Sequence, residues 1–172
     1  GVLEWVMGAQ RLDRQTVHTS HATLRKAEGT AAQDTDVLLA TQRDNQAGFG
    51  GSTAFLVAGR TGAPDALLAD WTCDRRELFD PSGQRTIPDH LGAQAGAGLD
   101  PCAAASVKLL VPHGGQAECV FVIGHGATRA AALALASACL AQSAQERESV
   151  VLAYWDELLD VVTVQTPDPL FD

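Results

Sequence analysis

The apolar pattern of this chain changes period once, near Thr128, and that change limits the fold more than any other feature. Before it, short apolar runs are separated by clusters of Gly, Pro, Asn and Asp. After it, Arg129 to Leu140 and Ala144 to Val161 follow helical spacing. Strands followed by two helices predict an α+β arrangement, or a β domain with a helical connector. Thr128 is suited to cap the first helix. On the second, Val151, Trp155, Leu158 and Val162 form one stripe, with Glu146, Glu148, Asp156 and Asp160 largely off it.

The candidate strands are Val2 to Val6, Thr16 to Ala27, Asp36 to Thr41, Ser52 to Ala58 and Ala66 to Thr72. Ser106 to Val111 and Glu118 to Ile123 follow, and Pro112-His113-Gly114-Gly115 between them reads as a hairpin turn. Arg43 to Gln46 and Gly59 to Pro64 read as turns. From Cys73 to Asp100 no period is sustained, and a loop this long is usually functional or packed against a partner. Val2 to Val6 already reads like the inside of a strand, and Thr166-Pro167-Asp168-Pro169 like a linker. Both ends are therefore expected to be cuts in a longer polypeptide.

With 172 residues and 46% hydrophobic content, one domain with a real core is expected. The net charge of −9 argues against nucleic acid or an anionic membrane as partner, because both need clustered Lys and Arg. Cys73, Cys102, Cys119 and Cys139 form no CxxC pair and read as reduced, structural thiols. No signal-peptide pattern is visible, and a cytoplasmic setting is expected.

No complete catalytic constellation is legible. His18 and His21 fall on opposite faces of a strand, so they cannot chelate one ion together. His90, His113 and His125 are isolated in or beside loops. Asp156, Glu157 and Asp160 sit on the wet side of a helix, and Glu4 in an apolar strand could face inward. Paired carboxylates for glycoside cleavage are not found. Gly48 to Thr53 lacks the Lys-Ser/Thr ending of a phosphate loop, and Gly96 to Pro101 lacks the third Gly of a dinucleotide site. Neither a metal site nor a cofactor is expected. The densest charge group of the long loop is Asp74-Arg75-Arg76-Glu77. It reads either as solvated ion pairs or as an Arg-bearing edge that meets sugar or phosphate.

Several segments occur in an order that resembles the N-terminal β-sandwich domain of glycoside hydrolase family 94, formerly glycosyltransferase family 36. They are EWVMG at 4–8, DVLLAT at 36–41, Phe49 to Phe55, CDRRELF at 73–79 and GAGLDPCAA at 96–104. Pro112 to Gly115, Gly124 to Leu135, Trp155 to Leu159 and TPDP at 166–169 complete the set. Among relatives the sequence looks most like the cyclic β-1,2-glucan synthases. It departs after Phe79, where such relatives carry Leu-Gly-Arg-Asn-Gly and this chain has Asp80-Pro81-Ser82-Gly83.

The resemblance implies a mainly β, supersandwich-like fold over residues 1–126. Residues 127–172 would be a helical linker to an (α/α)6 catalytic barrel of the same polypeptide. The barrel would hold the general acid and the phosphate site, acting on β-glucan or oligosaccharide. The implied function is a non-catalytic support for that barrel, with a contribution to a homodimer and a parent enzyme at the inner membrane as further options. Asp74, Arg75 and Arg76 are the residues expected nearest the substrate. The alternative is a stand-alone glycan- or protein-binding sandwich module, for which Trp71 would be the aromatic platform.

Overall fold

The computed structural model describes residues 1–24, 34–46, 48–59, 68–161 and 167. Two antiparallel sheets form the body. One has three strands in the order β1 (Val2–Glu4), β6 (Pro101–Val107) and β5 (Leu68–Asp74). The other has four, in the order β2 (Val17–Leu24), β3 (Thr35–Gln42), β4 (Thr53–Gly59) and β7 (Val120–Gly126). The mainly β expectation holds, as does the location of most strands. The parts of the expected elements that fall on 25–27, 60–67 and Val162 lie outside the described residues.

The central strands explain why their sequences are apolar without alternation. In the register β3 sets Leu38 against Leu56 and Leu39 against Phe55 on β4. Leu38, Ala40, Ala54 and Leu56 face the three-stranded sheet, where they pack with Trp5, Cys73, Ala103 and Ala105. Val37, Leu39, Phe55 and Val57 face the other way, onto Ala132 and Ala136 of helix α1 (Arg129–Ala141). A strand covered on both faces needs apolar residues at every position. β7, at the sheet edge, returns to alternation.

Helix α1 begins where the sequence predicts: the backbone N–H of Ala131 donates to Thr128 Oγ1 at 3.2 Å. Its contact side is small because the sheet is close. A Cβ on Gly126 would lie 2.6 Å from the backbone nitrogen of Ala132, so only glycine lets strand and helix approach there. The first compact unit, Gly1–Ala141, therefore includes α1. The second unit, Gln142–Asp172, contains α2 (Ala144–Leu159), capped by a reciprocal pair between Ser143 and Glu146. Within it Val151, Trp155 and Leu158 are exposed, with Trp155 at 50%.

Three expectations are corrected. The strand expected over Ser106 to Val111 lies earlier, at Pro101–Val107. Its Cys-Ala-Ala-Ala run has weak strand propensity. It forms the centre of a sheet covered on both sides, where small side chains are what fit. The Pro112 to Gly115 turn is real, with Gly115 N–H donating to Pro112 O at 2.9 Å, but it is no hairpin. β6 and β7 belong to different sheets, so this turn lies on a sheet-to-sheet crossing. Finally, β5 runs on through Cys73 and Asp74, where the sequence pattern predicts the start of a loop.

Candidate functional site

The charged group 74–77 sits where β5 ends. Asp74 caps a 3-10 turn (Arg75–Leu78) by accepting from the Arg76 N–H at 3.1 Å. The same carboxylate takes the Arg76 guanidinium in a fork, Nη2 to Oδ2 at 2.6 Å and Nε to Oδ1 at 2.9 Å. Burial works against ionisation of Asp74, but the bonds from the Arg76 side chain and backbone more than offset it. The carboxyl is thus held below its usual range, and its hydrogen bond in turn raises the Arg76 guanidinium.

Arg75 points the other way. Its N–H donates to Asp100 O at 2.8 Å, and Nε and Nη2 reach Asp100 Oδ2 at 2.9 and 2.8 Å. Nη1 pairs with Glu4 Oε1, and Arg14 approaches the other oxygen of Asp100 at 3.5 Å. The hydrogen bond to Asp100 raises Arg75 further above neutrality. Glu4 therefore does not face the core: its side chain is 45% exposed and spent on Arg75. Three of the segments that carry the family resemblance, EWVMG, CDRRELF and GAGLDPCAA, meet at this one guanidinium.

The loop after the 3-10 turn is tied down by the same economy of charge. Glu77 accepts from the Thr72 hydroxyl at 2.7 Å and from Gly92 N–H at 2.6 Å. Asp70 accepts from Leu91 N–H at 2.7 Å. Ala93 N–H reaches Trp71 O and Cys73 N–H reaches Gln94 O, so residues 93–94 shield the outer edge of β5. Gly96, at φ +147°, then exchanges bonds with Thr19 of the other sheet in both directions at 3.0 Å. A side chain at that backbone angle would be strained, which gives the glycine of GAGLDPCAA a physical reason.

The structure thus brings Asp74, Arg75 and Arg76 together, and each has a protein partner. A proton donor for glycosidic cleavage needs a carboxyl held up near neutrality. Asp74 is held down instead. Burial pushes the Cys73 and Cys102 thiols up to about 12, which suits packing and not nucleophilic attack. His21 bonds Asp36 at 2.8 Å and stacks on Trp71 with ring centroids 4.6 Å apart, so that indole face is already occupied. Among the described residues no group of three or more His, Cys, Asp or Glu is placed to hold a metal, and no helix is long and apolar enough to cross a membrane.

A pocket of about 280 Å3 opens beside the Arg75–Glu4 pair. Val2, Glu4, Arg75, Leu78, Phe79 and Arg85 line it. A more apolar recess of about 410 Å3 lies along β6 under Ile87 and Leu91. Sequence reasoning missed Glu4, Phe79, Arg85 and Asp100 as neighbours of Arg75. The signal for Glu4 and Asp100 was their place in the ordered segments; nothing in the sequence joined Arg85 to Phe79, which pair as an isolated bridge.

The family described as glycosyl hydrolase 94, supersandwich domain, matches residues 1–141, the whole of the first compact unit. No curated protein and no solved structure matches the chain. With its three-stranded sheet clasped at Arg75 by three of the segments that carry the likeness, and with a second, four-stranded antiparallel sheet beside it, this chain belongs to the glycosyl hydrolase 94 supersandwich-domain family.

Proposed function

We propose that this chain is the non-catalytic sandwich of a β-glucan phosphorylase or of an enzyme like the cyclic β-1,2-glucan synthases. It supports an (α/α)6 catalytic barrel of the same polypeptide and contributes to a homodimer. The reading rests on one observation above the others: the dense charge group of the long loop is consumed in holding that loop on the sheet. Groups so committed brace a surface; they do not exchange protons with a substrate. The setting we propose is cytoplasmic, in keeping with Cys73 and Cys102 packed as buried thiols.

In this reading the 74–100 loop presents the face nearest substrate, with Asp74, Arg75 and Arg76 stiffening it from beneath. The test uses the full-length natural polypeptide. Phosphate consumption is followed with β-1,2-linked glucose oligomers, and with β-1,3 and β-1,4 oligomers as alternatives. Phosphorolysis or glucosyl transfer that is weakened by Arg75→Ala is the expected result. A folded, full-length protein that is inert toward every β-glucan would refute the assignment.

A further inference from the structure

The pocket beside Arg75 has an electrostatic character that selects its ligand. Glu4 and Arg85 lie in its wall, and Arg75 enters already matched to Glu4 and Asp100. An incoming anion would compete with the Glu4 carboxylate for Arg75 and be repelled by it. An incoming cation would face two guanidinium groups. Val2, Leu78 and Phe79 supply apolar wall, so a fully polar solute gains nothing from them. What fits is a neutral molecule with one apolar face and several hydroxyl groups.

Phe79 is placed to serve that apolar face. The residue is 38% exposed, and the Arg75 guanidinium lies over one face of its ring, 5.4 Å from the centroid, so a sugar would stack on the opposite face. Phe79 and Arg85 are bridged through the backbone, so both side chains start from a fixed pair of positions at the rim of the pocket. Arg85 makes no ion pair among the described residues, which leaves its donors available to hydroxyl oxygens. Glu4 supplies acceptors to hydroxyl protons. Drug-sized ligands occupy pockets of about 300–1,000 Å3, so 280 Å3 suits a single ring and not an extended chain.

We infer that this pocket binds one glucosyl unit, with Phe79 as the stacking surface, Glu4 and Arg85 as hydroxyl partners, and Arg75 as a positioning residue. The inference rests on the β-glucan reading above, but it has its own readout. Saturation-transfer NMR on the full chain, with D-glucose and a β-linked glucose disaccharide as probes, reports binding without catalysis. The pocket contains no Trp, so Trp fluorescence should stay unchanged, whereas a platform at Trp71 would quench it.

The expected result is a saturable signal weakened about tenfold by Phe79→Ala, the scale of loss when an aromatic anchor is truncated. Arg85→Gln, on an exposed side chain, should weaken it too, which keeps the test valid if Phe79→Ala fails to fold. Ile87→Ala, outside the pocket, should leave it unchanged. No saturable signal in the unaltered protein, or a signal indifferent to Arg85→Gln, overturns the inference. Either outcome leaves the phosphate assay of the full-length enzyme to judge the wider reading by itself.

Discussion

Gly124 on β7 lies under the ring of Phe55, the largest fully buried side chain among the described residues. A Cβ added at Gly124 would sit 2.6 Å from Phe55 Cζ and 2.7 Å from Cε1. Carbon atoms meet at about 3.5–4.0 Å, so Gly124→Ala forces roughly 1 Å of displacement. Phe55 cannot yield, being boxed in by Val37, Leu39, Val57, Ala132 and Ala136. Overpacking of this kind costs about 1–3 kcal/mol. The stiffer unfolded chain returns about 0.4–1 kcal/mol. From the midpoints of these two ranges the net loss expected is about 1.3 kcal/mol. Phe55→Leu alone also destabilises, by leaving a void against α1. It removes the two ring atoms that clash, however, so the double variant should lose at least about 1 kcal/mol less than the sum of the singles. Urea unfolding followed by far-ultraviolet circular dichroism measures this. With a slope of about 2 kcal/mol per M, Gly124→Ala alone shifts the midpoint down by roughly 0.6 M. Additivity within about 0.5 kcal/mol would refute the packing of the ring over Gly124.

Other outcomes follow from single groups. Gln42 is fully buried and satisfied by Thr16, Met7, Asp13 and Asp44. Gln42→Leu strands those groups and should cost at least about 2 kcal/mol in urea unfolding; a loss under about 0.5 kcal/mol would contradict the network. The Asp74 carboxyl is lowered in the folded state, so its contribution is present above the unfolded value of about 4 and fades as pH falls through the lower folded value. Asp74→Asn should therefore be less stable at pH 7, with the gap closing toward pH 3 in thermal melts. A gap that stays constant with pH would argue against the ionised fork. Cys73 and Cys102, held up at about 12 and buried, should resist iodoacetamide at pH 8 until urea unfolds the chain. Peptide mass spectrometry showing early modification of either would contradict their burial.

Strand positions were legible wherever burial on both faces demanded an unbroken apolar run, as in β3 and β4. They were misread where the demand was for smallness. Cys102 to Ala105 carry no strand signature, yet they run at the centre of a three-stranded sheet because Leu78 and Leu91 close over one side and the core over the other. The apolar Leu109-Leu110-Val111 run looked more strand-like and is exposed. Thr128 announced its helix correctly, since a cap is a local event between residues three apart.

The candidate site divides the same way. Local chemistry along the chain was sufficient to single out Asp74, Arg75 and Arg76, and the Asp74–Arg76 fork spans only two residues. The ordered segments were sufficient to indicate the family. What Arg75 does was decided in three dimensions. Its partners Glu4 and Asp100 arrive from β1 and from the turn into β6, and no spacing rule relates positions so far apart. The pocket that results belongs to neither strand nor loop alone. Its existence depends on β1 pairing with β6 and on the 3-10 turn folding back over both, which is a matter of packing that local pattern does not encode.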